Sequence, residues 1–460
     1  MNYKRFAYTL MVSLVAAIGG FLFGYDWVVI GGAKPFYEVY FGIANKPLMQ
    51  GWVMGSAIVG CIGGVIISGS FSDKFGRKPL MLVASIIFLV SAIGTGIANE
   101  LFWLIIYRLL GGVGIGIASA LAPLYIAEIV PAKSRGIYVS INQLTIVLGI
   151  LIAQVVNWMI ADPVIAAEDF GSSWNVTEGW RWMFWACGVP ALTYIFLLLL
   201  IPESPRWLIM KGRYEKATAI FTRIGGEVYA EEAVRTTKKT SATANRIAWQ
   251  YFFTPPVRKV LIIGIVIAAF QQWCGINVIF NYAQEVFEAA GYGVSDILFN
   301  IVITGATNVV FTLVGMYAVD RIGRRTLMVG GSLGLMCIYG LMGACYYYQV
   351  SGVFVLVLVV AAIACYAMTL APVTWVVLSE IFPNRIRGRA MAIATFSLWV
   401  ACFILTYSFP LLNTTLGAYG TFWLYGFVCL LGFLFIKTQL PETRGQTLEE
   451  IEQKLTGANL

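Results

Sequence analysis

Runs of about twenty apolar residues recur along this chain and constrain its fold more than any other feature. A helix needs roughly 20 predominantly apolar residues to cross a bilayer. Runs of that length fall at about 8–32, 50–71, 80–98, 101–124, 137–160 and 181–201, and again at about 258–289, 296–318, 326–348, 353–379, 389–410 and 420–438. Within hydrocarbon every backbone N–H and C=O must be satisfied inside the segment, so runs of this length span as helices. The expected class is an all-α membrane protein of about twelve transmembrane helices. Composition agrees: 59% of the 460 residues are hydrophobic and 12% charged, against roughly 25% charged in a soluble chain. Met1–Arg5 is a short basic start, and the apolar run behind it is long enough to span, so no cleavable signal peptide is expected.

The charged residues sort by side. Lys74, Arg77 and Lys78 follow the second run, Lys133 and Arg135 the fourth, Arg321, Arg324 and Arg325 the eighth, and Arg385, Arg387 and Arg389 the tenth. The opposite loops hold Asp162, Glu168, Asp169 and Glu178, then Glu285, Glu288 and Asp296. Short loops rich in Lys and Arg stay in the cytoplasm, which places both termini and the central linker there. Orientation therefore accounts for the net charge of +8, and nucleic acid is not an expected partner. The eight cysteines form no CxxC pair, so neither a disulfide framework nor a zinc site is indicated. The chain has no histidine, so proton chemistry near neutral pH falls to carboxylates. No metal or other cofactor is expected.

Pro202 to about Val257 is polar and charged, and it divides the chain. The expected organisation is a first six-helix half at 1–201, a cytoplasmic linker with short helices at 202–257, a second six-helix half at 258–438 and a cytoplasmic tail at 439–460. The halves repeat. The stretch from Asp73 to Lys78 resembles Asp320 to Arg325, and Glu128 to Gly136 resembles Glu380 to Gly388, both offset by about 250 residues. Pro202-Glu-Ser-Pro has a weaker echo in Pro441-Glu-Thr-Arg444. A parallel repeat of two six-span halves is a transporter signature. The repeated charges Asp73, Arg77, Glu128 and Arg135, with Asp320, Arg324, Glu380 and Arg387, could pair in one conformation and separate in another, as a latch. Interface anchoring is the other reading, though orientation alone needs no acidic partners.

Polar residues inside the spans are costly and call for a reason. Asp26 lies within the first run, and Arg108 opens Arg108-Leu-Leu-Gly111-Gly112-Val-Gly114-Ile-Gly116 in the fourth. They read as partners in one half; a purely structural ion pair, or an Arg108 that snorkels to an interface, are the alternatives. The glycine run lacks GxGxxG spacing and a preceding strand, and it suits close helix packing. No GxxxxGK[ST] motif occurs, so no P-loop drives the protein with ATP. Amides gather in the middle spans: Asn142 and Gln143, then Gln271, Gln272, Asn277 and Asn281, then Asn308, with Trp375 and Trp399 further on. Amides donate and accept, as hydroxyl groups require, and an indole stacks on a sugar's apolar face. Any single amide could instead join two helices. Gly275 and Pro372 would loosen their helices near these groups.

These residues resemble the sugar porter family of the major facilitator superfamily over essentially the whole chain. The carrying motifs are Gly-Tyr-Asp26, Arg108-Leu-Leu-Gly-Gly-Val-Gly, Pro202-Glu-Ser-Pro-Arg206-Trp207, Gln271-Gln272-Trp-Cys-Gly-Ile-Asn277 and Pro441-Glu-Thr-Arg444-Gly445. The resemblance is strongest to bacterial xylose–proton symporters and animal glucose facilitators. It implies a major facilitator fold of two six-helix halves, acting as a monomer in a bacterial inner membrane. It also implies sugar-binding positions at Gln143, Gln271, Gln272, Asn277, Asn308 and Trp375, with pocket aromatics at Phe23 and Trp399. Asp26 matches the proton-coupling acid of symporters, where facilitators carry Asn, and Arg108 matches that acid's partner. Leu398 stands where relatives usually carry Asn or Gln, Ala371 where Gly is usual, and Asn281 where Tyr is usual. Ala186-Cys187-Gly188 stands where some symporters have a further acid. Ile150 and Phe280 line up with hexose facilitators and offer a pentose no extra hydrogen bond. The expected function is proton-coupled symport of a neutral monosaccharide, hexose favoured over pentose, with a lipid bilayer as surroundings. A passive facilitator, a non-transporting sensor and a membrane enzyme are the alternatives; the last lacks a nucleophile–base pair.

Overall fold

The computed structural model describes residues 3–131, 135–162, 167–243, 254–350, 352–383 and 386–444, with 446 and 450. The first six spans are α1 (Tyr3–Tyr40), α2 (Pro47–Phe75), α3 (Arg77–Ile97), α4 (Leu101–Ile129), α5 (Arg135–Ile160) and the pair α6 (Trp180–Ala186) and α7 (Gly188–Leu200). The linker carries α8 (Pro205–Met210), α9 (Tyr214–Gly225) and α10 (Glu227–Thr243). Then follow α11 (Pro255–Trp273), α12 (Ile276–Asn281), α13 (Ala283–Glu288), α14 (Val294–Ile322), α15 (Arg324–Tyr347), α16 (Val353–Met368), α17 (Leu370–Ile381) and α18 (Arg387–Gln439). Eleven stretches among the described residues are long and apolar enough to cross a membrane. The last of them, Arg389–Gln439, covers both runs expected at 389–410 and 420–438, as two helical stretches that meet at a kink at the non-helical Gly417 (φ 69°).

Three expected spans are broken: the sixth at Cys187, between α6 and α7, and two more, each for a local reason. The seventh run stops at Trp273 and resumes at Ile276, because Gly275 adopts φ 87°, a left-handed conformation open to glycine. The tenth stops at Met368 and resumes at Leu370, with Thr369 at φ −118°, ψ −82°. Pro372 explains that break: it has no N–H for the carbonyl four residues back, and its ring crowds that carbonyl. The turns from α2 to α3 and from α14 to α15 repeat one geometry, with Gly76 at φ 108° and Gly323 at φ 105°.

In space the chain forms two compact units. One comprises Met1–Trp27, Ser56–Ala153 and Arg181–Arg246; the other comprises Val28–Gly55, Gln154–Trp180 and Ile247–Leu460. The expected boundaries at 201, 257 and 438 follow the repeat in the sequence, whereas packing cuts through α1, α2 and α5. In the first unit α3 packs on α4 and α7. The glycines of α4 let it touch α2: a Cβ on Gly112 would collide with the Ala57 carbonyl, and one on Gly116 with the Cys61 carbonyl. In the second unit α18 packs on α11 and α15, and α14 on α16. All eight cysteines are free.

Candidate functional site

The first unit holds a buried ion pair. Asp26 is 5% exposed and Arg108 2%, and Nη1 of Arg108 donates to Oδ1 of Asp26 at 2.6 Å. The guanidinium lies 5.7 Å from the Phe184 ring centre. Small residues position the acid: a Cβ on Gly24 would meet the Ile146 carbonyl and one on Gly149 the Phe21 carbonyl, so α1 and α5 touch backbone to backbone. The Thr145 hydroxyl donates to the Ala17 carbonyl at 2.7 Å and ties the same helices. Phe23 sits one turn from Trp27, rings edge to face at 5.8 Å. On α5, Gln143 is half-buried and Ile150 buried.

The second unit gathers the amides of the broken seventh span. The Gln271 amide donates to the Ala371 carbonyl at 3.3 Å, the Gln272 amide to Oε1 of Gln271 at 3.2 Å, and the Asn277 amide to Oε1 of Gln272. The left-handed Gly275 makes this string possible, because it turns α12 back so that Asn277 meets a residue five positions earlier. Asn277 and Phe280 are buried on α12, Asn308 on α14 and Trp399 on α18, while Trp375 on α17 is half-exposed. Seven predicted residues therefore belong to the second unit. Phe23, Asp26, Arg108, Gln143 and Ile150 belong to the first.

The repeated loop charges form two matching clusters, each within one unit. Arg77 pairs with Asp73 at 2.9 Å and with Glu128 at 2.9 Å, and the Ser204 hydroxyl also donates to Glu128. Arg324 pairs with Glu380 at 3.1 Å, and the Thr443 hydroxyl donates to Glu380 at 2.6 Å. The side chains of Asp320, Arg135 and Arg387 lie outside the described set. Two acids completing the clusters carry no expectation above. Glu203 accepts from the N–H groups of Arg77 (3.0 Å) and Lys78 (3.2 Å) at the start of α3. Glu442 accepts from those of Arg324 (2.9 Å) and Arg325 (3.1 Å) at the start of α15. Each caps a helix N-terminus whose donors have no partner within the helix. Burial pushes the Glu203 carboxyl above the usual glutamate range, against the pull of these N–H groups and Arg77. The echo of Pro-Glu-Ser in Pro-Glu-Thr was the available signal.

The family model described as "Sugar (and other) transporter" matches residues 12–455. The chain belongs to this family. It is similar to the arabinose–proton symporter of Bacillus subtilis, at 36% identity over 97% of this chain and 95% of that one. It is also similar to the glucose facilitated diffusion protein of Zymomonas mobilis, at 34% identity over 96% of each. Among solved structures it matches the xylose transporter of E. coli in a partially occluded inward-open conformation. That match has a TM-score of 0.85 and 35% identity, and covers 96% of this chain and all of the other. This member of the sugar transporter family has the major facilitator fold and is a multi-pass membrane transporter, not an enzyme.

Proposed function

We propose that this transporter carries a neutral monosaccharide together with a proton by alternating access, with hexoses competing at least as well as pentoses. The buried Asp26–Arg108 pair carries the reading. In a chain without histidine, this carboxylate inside a span is a group that a proton can occupy. Protonation of Asp26 would leave Arg108 without its counter-charge in a buried site. An uncompensated buried charge costs on the order of 3–5 kcal/mol, which favours rearrangement of α1 against α4 and so ties proton loading to movement. Arg108 is then the partner that sets when Asp26 can take the proton. The arabinose–proton symporter supports the coupled reading, and the glucose facilitated diffusion protein supports passive transport as the second one.

For the sugar, the string Gln271–Gln272–Asn277 offers amides in the pattern hydroxyl groups need, with Gln143 and Asn308 as further candidates. Phe23, Trp375 and Trp399 supply aromatic faces. Ile150 and Phe280 add no hydrogen bond, which is the basis for the hexose preference. The clusters at Arg77 and Arg324 are the proposed cytoplasmic latches, and the unit of function is one chain.

Uptake into proteoliposomes tests both parts. One proton falling through about 100 mV supplies roughly 2.3 kcal/mol. A pH step of one unit adds about 1.4 kcal/mol. The sum supports an accumulation of about 500-fold for a neutral sugar. Wild type should concentrate glucose or galactose on an imposed gradient, and unlabelled hexose should displace label at least as well as xylose. Asp26→Asn should abolish accumulation and keep counterflow, because the amide keeps the shape and cannot titrate. Accumulation by Asp26→Asn would place the proton elsewhere, a wild type that never accumulates sugar would be a facilitator, and displacement by pentoses alone would end the hexose preference.

A further inference from the structure

Lys34 is buried within α1, 2% exposed, and neither orientation nor the sugar and proton sites account for it. A lysine near a membrane interface ordinarily extends its ammonium to water. This one turns inward. Its Nζ lies 2.9 Å from Oε1 of Glu38, donates to Oε1 of Glu285 on α13, and sits 5.5 Å from the Tyr282 ring centre. The Gln50 amide reaches Oε2 of Glu38 at 3.2 Å and the Ala44 carbonyl at 2.7 Å, so the acid is held from a second direction. All of these groups belong to the second unit.

Both helices are weak where the ion pair joins them. Pro35 lies inside α1. It removes the bond to the Gly31 carbonyl and crowds that carbonyl, a recognised origin of helix kinks. Gly31 lies against α12, where a Cβ would come within 3.0 Å of the Phe280 carbonyl, and a Cβ on Gly32 would collide with the Asn157 amide. On the other side, α12 ends at Asn281 and α13 begins at Ala283, with Tyr282 between them at φ −124°, ψ 32°. The Tyr282 hydroxyl is anchored to the Thr406 carbonyl at 2.7 Å. Lys34 thus lies next to Pro35 within the continuous α1, and Glu285 lies three residues from the break at Tyr282. They come from opposite halves of the sequence and from the membrane side whose loops are acidic.

We propose that Lys34, bridging Glu38 and Glu285, is a positioning residue that latches the end of α1 to α13 on the acidic-loop side, opposite the Arg324 cluster of the same unit. The pair breaks and re-forms once in each transport cycle. Closing a buried ion pair excludes water there and holds two segments that would otherwise pivot at Pro35 and Tyr282. The inference rests on the alternating-access reading above. Its test needs no sugar or gradient, so it stands or falls apart from sugar identity and proton coupling.

Hydrogen–deuterium exchange of the purified full chain reads the latch directly. Lys34→Met should raise exchange about tenfold in the segments 36–46 and 283–290, with α3 and α4 unchanged. Once Lys34 is neutral, adding Glu285→Gln should raise exchange in 36–46 by less than about twofold, because the shared interaction is already gone. Lys34→Arg keeps the charge and should stay within about threefold of wild type, and it tests the charge even if Lys34→Met does not accumulate. Unchanged exchange in Lys34→Met, fully additive effects, a rise spread equally over α3 and α4, or a tenfold rise in Lys34→Arg would each overturn the latch.

Discussion

The amides of the seventh span show how single residues divide their work. In Gln271 the donor is engaged by the Ala371 carbonyl, and the acceptor receives Gln272. A sugar hydroxyl entering here would exchange partners within a string of amides that can each donate and accept. Truncation of Gln271 removes a link and leaves neighbours unpaired in a buried place. Loss of one such bond costs about 1–3 kcal/mol, roughly 5- to 150-fold in affinity. Gln271→Ala should therefore bind sugar weakly or not measurably by titration calorimetry while still inserting and purifying as a monomer. Wild-type affinity in that variant would remove Gln271 from the site. The type of these residues was legible in the sequence, because a neutral amide inside a span needs a reason. The partner of each was not. Gln271 finds a carbonyl 100 positions away, and the Gln272–Asn277 bond exists only because Gly275 turns the backbone.

Among the elements, the glycine run of α4 is where sequence and packing agree most directly. A run of small residues in a span predicts close helix contact, and Gly112 meets the Ala57 carbonyl with no room for a Cβ. Overpacking of this kind costs about 1–3 kcal/mol or more, because backbone must move. Gly112→Val should sharply lower the yield of monodisperse protein in fluorescence-detected size exclusion. Gly63→Ala, on α2 and facing open space, should leave the yield unchanged. Equal yields from the two variants would contradict the packing. Helix interruptions were partly legible. Gly275 and Pro372 marked the seventh and tenth spans, and the kink at Gly417 falls between the runs expected at 389–410 and 420–438, since glycine weakens a helix. The caps by Glu203 and Glu442 were not legible for another reason: Glu203 lies 126 positions from the N–H of Arg77, beyond any local capping pattern.

At the scale of the molecule, the repeat seen in the sequence reappears as two equivalent charge clusters, Arg77–Glu128–Ser204 and Arg324–Glu380–Thr443, each closed within its own unit. Their loops hold the excess of Lys and Arg, which sets orientation. A protease-cleavable tag at either terminus should be cut in inside-out vesicles and protected in right-side-out ones; the reverse pattern would invert the proposed topology. The sequence alone determined the apolar runs, the charge bias of the loops between them, the repeat and the chemistry available inside the membrane. Those properties are local: a run's length against the bilayer, a loop's charge, a residue's cost in hydrocarbon. Only the tertiary structure decided the division into units through α1, α2 and α5. It alone chose which charges meet, and so joined Lys34 to Glu285 across 251 positions. Pairing of that kind is set by how helices pack, and no window of sequence contains the two faces that come together.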